Sequence, residues 1–160
     1  MQSSITYLVR LLEKCVFCSN VVTGKEAHVF YRTDTVIGFM DKYPVEEGHV
    51  LIIPIKHYEN IFDIENEVYL EIQQAAKKIA LVLRDVFEAD GINIGQNNGE
   101  CARQMVMHYH LHIIPRHCGR EIGWNRLKQT DEELENDCRR IEKRLNEINN
   151  IDQHNRMGGN

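Results

Sequence analysis

A chain of 160 residues with 42% hydrophobic and 27% charged residues fits one globular domain, long enough to bury a continuous core without disulfide staples. Its formal net charge of -5 argues against non-specific nucleic-acid binding, which runs on basic surface, but permits a small phosphorylated ligand held by a few local donors. No stretch approaches the ~20 apolar residues of a membrane span, and Arg10 and Glu13 interrupt the N-terminal apolar residues with no small-residue cleavage site after them. The expected location is therefore the cytoplasm, without a membrane or nucleic-acid partner.

In chain order, Ile5, Leu8, Leu11 and Leu12 pattern a short amphipathic helix within residues 1–14. A Cys-x-x-Cys knuckle follows at Cys15 and Cys18. Segments 27–32 and 35–41 read as strands around a turn at Thr33-Asp34, and residues 48–54 as a third strand stopped by Pro54. From about Asn66 to Phe87 the period changes. Ile72, Ala76, Ile79, Leu83 and Val86 recur at helical spacing, a stripe suited to packing on a sheet. Gly91–Asn97 and Met105–Pro115 are the fourth and fifth expected strands, with turn chemistry at Asn97-Asn98-Gly99-Glu100 between them. A last helix starts at Thr130, where Thr130 and Glu133 form a capping box ahead of Leu134, Cys138, Ile141, Leu145 and Ile148. From Asp152 onward no pattern persists and a loose tail is expected. Strands grouped apart from helices make the class α+β, with a mainly antiparallel sheet carrying the long helix.

The chemistry concentrates in His108-Tyr109-His110-Leu111-His112. Side chains on one face of a strand repeat every ~6.8 Å, so the three imidazoles share a face while Met107, Tyr109, Leu111 and Ile113 share the core face. Packing does not explain three histidines in a row. A surface strand that happens to be His-rich is the bland alternative. A three-histidine metal face is geometrically awkward, because the outer two residues start ~13–14 Å apart. Nucleophilic catalysis fits better. A neutral imidazole held in one tautomer presents a nitrogen lone pair to phosphorus, and a neighbouring histidine can donate to the phosphoryl oxygens or the leaving group.

The run Gln104-Met-Val-Met-His108-Tyr-His110-Leu-His112-Ile-Ile-Pro-Arg116 resembles the His-φ-His-φ-His-φ-φ signature (φ, hydrophobic) of the histidine triad (HIT) superfamily. Phe39-Met-Asp41-x-x-Pro44 and Gly48-His49-x-Leu51-x-Ile-Pro54-x-Lys56-His57-x-x-Asn60 are similar to further landmarks of that family, in its order. The match spans roughly residues 15–116 and is nearest the bacterial Hint/Hit type. The resemblance implies a five-stranded antiparallel sheet, a homodimer and a purine nucleotide pocket. With the patterns at either end, the chain is expected to divide into an N-terminal segment (1–14), the HIT domain (15–128), a C-terminal helix (129–150) and a flexible tail (151–160).

By that resemblance His110 attacks the α-phosphorus and carries a nucleotidyl intermediate that water cleaves, while His112 hydrogen-bonds the phosphate. Asp41 takes the ribose hydroxyls, Phe39 lies near the base, and Asn97, Gln104 and the Met105 N–H line the phosphate. On the residues alone, Asp41 reads equally as a turn residue, Phe39 as core and Asn97 as a turn former. Two positions depart from the family pattern: Arg103 stands where glycine is usual, and Met105 where Ser or Thr is common. The substrate class implied is a dinucleoside polyphosphate, such as diadenosine tetraphosphate, or an adenosine phosphoramidate. Nucleotidyl transfer and non-catalytic nucleotide sensing are the competing functions.

Cys15 and Cys18 supply half of a tetrahedral Zn²⁺ site, ordinary free thiols being the alternative. Members of the similar bacterial branch with this pair carry zinc, and the resemblance completes a Cys2His2 set with His57 and His108. Such a closed site is structural, and through His108 it ties the knuckle to the strand of the nucleophile. His49 has no chemical role in this reading.

Overall fold

The computed structural model describes residues 15–121, 123 and 125–157; the helix expected within residues 1–14 and the position of Trp124 lie outside them. Five strands, β1 (Val29–Arg32), β2 (Val36–Met40), β3 (Val50–Pro54), β4 (Gly91–Gly95) and β5 (Leu111–Arg116), form one sheet. Its order is β1-β2-β3-β5-β4, every neighbour pair antiparallel. Helix α1 (Asn66–Val86) and helix α2 (Asp131–Met157) complete the α+β architecture. No helix among the described residues is long and apolar enough to cross a membrane.

Both faces of the central strands are covered, which explains why β2 and β3 are apolar without interruption. Val36, Met40, Val50, Ile52, Leu111 and Ile113 face one side, where Ile72, Ala76, Ile79 and Leu83 of α1 meet them. Leu134, Cys138, Ile141 and Leu145 of α2 join the same cluster. Ile37, Phe39, Leu51 and Ile53 face the other side and pack under Cys15, Phe17, Cys18 and Val21 of the knuckle. The period-2 alternation therefore sorts one strand set into two cores. Burying a side chain of this size contributes about 1.5–3 kcal/mol, so the knuckle face is a real second core and not a loose flap.

The capping box forms as expected: Glu133 N–H donates to Thr130 Oγ1 at 3.2 Å, and Thr130 N–H to the Glu133 carboxylate at 2.7 Å. Several boundaries differ from expectation. The last helix does not stop at Asn150 but runs to Met157, because no glycine or proline interrupts it before Gly158. Strand β4 ends at Gly95, ahead of Asn97. The fifth strand begins at Leu111, not Met105. His108, Tyr109 and His110 leave the ladder because Pro54 ends β3 and offers its carbonyl to the His108 ring at 2.9 Å, while Tyr109 N–H donates to Tyr58 O at 2.7 Å. Side chains now hold this segment where backbone pairing stops.

Gly48, which leads into β3, has φ +76°, and a Cβ there would lie 2.6 Å from the Phe87 ring. Only glycine meets both conditions. Its place next to His49 is thus fixed by packing under the end of α1.

Candidate active site and metal centre

Register places the site. Phe39 pairs Leu51, Leu51 pairs His112, and His112 pairs Gly95, one row across the knuckle face of the sheet. A side chain at Gly95 would meet no atom within 4 Å, so the row is open beside His112. His110 and His112 stand together, ring centroids 5.0 Å apart, and Tyr109, Leu111 and Ile113 turn into the core. The expected division of faces holds although part of the segment is not strand.

Each ring has a defined proton. His110 Nδ1–H donates to His108 O at 2.7 Å, which leaves Nε2 as a lone pair. That nitrogen has no partner among the described residues. Phe17 lies edge-on to both His110 and His108, at 5.5 and 5.9 Å between centroids, and also touches Phe39 at 5.5 Å. Phe17 is a site residue that sequence reasoning missed; its position between Cys15 and Cys18 was the available signal.

Burial holds the cluster neutral. It is the main cause lowering His112 to about 3, with His49 and His110 adding to it, and lowering His49 to about 4 against the opposing pull of Asp41. His110 is also pushed down, again by burial first. At neutral pH His110 is therefore the free base that a nucleophile must be. A consequence for stability follows from His49 and His112. Above the ordinary histidine pKa of about 6.5 folded and unfolded chains are both neutral here, and stability is full. As pH falls below that, the unfolded chain takes up protons that the folded rings refuse until about pH 4 and about pH 3. We expect stability to fall through this window by as much as about 1.4 kcal/mol per pH unit for each proton. Urea unfolding between pH 7 and 4 measures it, and a flat profile contradicts it.

The candidate metal site assembles from three separate segments. Cys15 Sγ is 3.5 Å from His108 Nδ1, and Cys18 Sγ is 3.4 Å from both His108 Nδ1 and His57 Nδ1. Tetrahedral zinc with Zn–S of about 2.3 Å and Zn–N of about 2.0–2.1 Å sets sulfur and nitrogen about 3.5 Å apart. The donor set fits. His108 Nε2–H donates to Pro54 O, so the Nδ1 lone pair faces the cysteines, the outer-shell arrangement of a ligating histidine. Without a cation the thiolate form is disfavoured: burial, then Cys15, push the Cys18 thiol up to about 12. These four residues form a cluster able to hold a metal ion.

The remaining expected residues divide. Asp41 closes a turn, its Oδ1 accepting from Tyr43 N–H at 2.8 Å, and its Oδ2 lies 3.5 Å from His49 Nε2. Phe39 is buried against Phe17 and backs the site from below. Gln104 is buried too, and its amide is committed to the backbone. Nε2 donates to Glu59 O and Val106 O, and Oε1 accepts from Gly99 N–H at 2.7 Å. Asn97 Nδ2 donates to Arg103 O at 3.3 Å. Both amides thus hold the loop in shape. Arg103 has φ +62°, a left-handed conformation that disfavours side chains by roughly 1–2 kcal/mol and that the glycine expected from the family pattern would adopt freely. Met105 is 80% exposed, and its N–H has no partner among the described residues.

A family model described as HIT domain matches residues 22–119. The protein hit of Bacillus subtilis is 38% identical over 139 residues, covering 83% of this chain and 95% of that protein. An adenosine 5′-monophosphoramidase of Candida albicans is 33% identical and covers 69% of this chain and 77% of its own length. Among solved structures, a Zn-bound histidine triad family protein from Mycobacterium smegmatis superposes with a TM-score of 0.79 at 30% identity, over 88% of this chain and 99% of that one. A Plasmodium falciparum diadenosine triphosphate hydrolase gives a TM-score of 0.68 at 26% identity, over 75% and 77% of the two chains.

Proposed function

The chain belongs to the HIT domain family, and from that membership and its histidine geometry we propose a nucleotide hydrolase that cleaves at an α-phosphate through a covalent nucleotidyl-His110 intermediate. The observation that carries this is the His110 ring, protonated on Nδ1 by its bond to His108 O and bare on Nε2. Nε2 attacks the α-phosphorus, an N–P bond forms, and the bond to the leaving group breaks. Water then adds to phosphorus and releases the nucleoside monophosphate, returning His110 as the free base.

His112 hydrogen-bonds the phosphate in this reading, and Asp41 takes the ribose hydroxyls with its unspent carboxylate capacity. Phe39 forms the floor beneath the base. Asn97 and Gln104 hold the loop that offers the Met105 N–H to the phosphate. Zinc is the metal proposed for Cys15, Cys18, His57 and His108, where it supplies structural cross-linking only, since four protein ligands leave no place for activated water. A second copy of the chain is the partner proposed for the β4 edge, where Ile94 and Leu81 of the neighbouring helix are exposed and backbone groups stand unpaired.

The substrate is a dinucleoside polyphosphate or an adenosine phosphoramidate. Incubation with diadenosine tetraphosphate and, separately, adenosine 5′-phosphoramidate, with chromatography of products, tests this. AMP with ATP from the first, or AMP with ammonia from the second, is expected. Binding of AMP with no turnover of either compound would favour a nucleotide sensor.

A further inference from the structure

The third group of interest lies beside the nucleophile. Asp41, His49 and His112 each place one donor atom within 4.8 Å of the others, a spacing that also suits a metal ion. A backbone contact decides between the two uses. Val45 N–H donates to His49 Nδ1 at 3.2 Å, and a backbone amide has no other role to play. Nδ1 of His49 is therefore the unprotonated nitrogen, and in the neutral ring Nε2 carries the proton. A metal on Nε2 would force that proton onto Nδ1, against the Val45 N–H. The trio is not a metal site.

His49 Nε2 is 2.9 Å from His112 Nδ1 and 3.5 Å from Asp41 Oδ2. With its one proton Nε2 donates to the nearer acceptor, so His112 Nδ1 must accept. The proton of neutral His112 is then on Nε2, which has no partner among the described residues and is not sealed from the surface. We propose that His49 is a positioning residue: the chain Val45 N–H to His49 to His112 fixes the His112 tautomer so that its outer nitrogen is a permanent donor to the phosphoryl group. Two adjacent rings thus receive opposite assignments from the backbone. His108 O makes His110 an acceptor at its outer nitrogen, the nucleophile; Val45 N–H, relayed through His49, makes His112 a donor there. The tautomer assignment stands on geometry alone, while its catalytic use rests on the hydrolase reading.

Long-range ¹H–¹⁵N correlation spectra of the full, metal-loaded chain report which nitrogen of each histidine ring carries hydrogen. Protonated Nε2 and bare Nδ1 are expected at His112. In His49→Leu that preference should disappear. In His49→Gln it should persist, because the Gln amide N–H reaches the position of His49 Nε2. Turnover should follow the same order: kcat down about 100-fold in His49→Leu, the scale of losing one phosphoryl donor, with KM little changed, and within about threefold of the parent in His49→Gln. A merely structural His49 would move both variants alike. His112 protonated on Nδ1 in the parent protein overturns the proposal, and so does a His49→Gln variant as impaired as His49→Leu. Should the Leu variant fail to fold, the parent spectrum and the Gln variant still decide. A parent protein that hydrolyses neither nucleotide refutes the functional reading alone, because the His112 proton is read without substrate.

Discussion

Replacing His110 by Asn is expected to abolish hydrolysis, with a fall in kcat of about 10⁴–10⁶-fold, while the fold is retained. The substitution is chosen for its geometry. An Asn amide N–H occupies the place of the imidazole Nδ1–H and keeps the bond to His108 O, now 2.7 Å, but nothing replaces Nε2. Loss of a nucleophile from a covalent mechanism costs about 10⁴–10⁶ in kcat, far beyond any effect of a side chain that only binds phosphate, about 10²–10³. Magnitude therefore separates the roles. Ala at the same site also opens a cavity beneath Phe17, so Asn is the cleaner variant. Rapid-quench measurement of AMP release, with an acid-labile phosphoramidate trapped on the parent enzyme, reads the step directly. Residual activity within a hundredfold of the parent would mean that another group attacks phosphorus.

Whatever depended on local periodicity was legible in the chain. The α1 stripe of Ile72, Ala76, Ile79 and Leu83, the Thr130–Glu133 box and the alternation around His110 are short-range patterns, and each element formed where its residues required. The ends of elements were less legible because they depend on partners. Leu111 begins β5 only because Pro54 has already ended β3, and the last helix continues past Asn150 for want of a breaker. At the site, chemical identity was legible but orientation was not. Gln104 is an amide suited to phosphate by composition, yet Glu59 O, Val106 O and Gly99 N–H claim it. His49 shares strand parity with Leu51, whose partner is His112, so its face could be read; its proton could not, because that is set by Val45 across a turn.

Removal of zinc is expected to lower stability far more than it alters the chemistry of His110. The knuckle reaches His110 in two ways: through His108, whose ring faces the cysteines and whose carbonyl holds His110, and through Phe17 packed edge-on against both rings. An ion bound by the folded chain at a thousandfold excess over its Kd stabilises it by about 4 kcal/mol. For a domain of this size that corresponds to roughly 8–16 °C in Tm. The apo chain should nevertheless stay folded, because the core beneath α1 shares no residue with the metal cluster. Cys15→Ser should mimic the loss, with less than one zinc per chain by metal analysis, a Tm lowered on that scale and a kcat reduced by tenfold or less. Purification without chelator should give one zinc per chain in the parent protein. Absence of metal there, or an unchanged Tm after chelation, would leave Cys15 and Cys18 as buried thiols. A kcat that collapses while Tm holds would instead place the knuckle in the chemistry itself, acting on His110 through Phe17 and not as a cross-link.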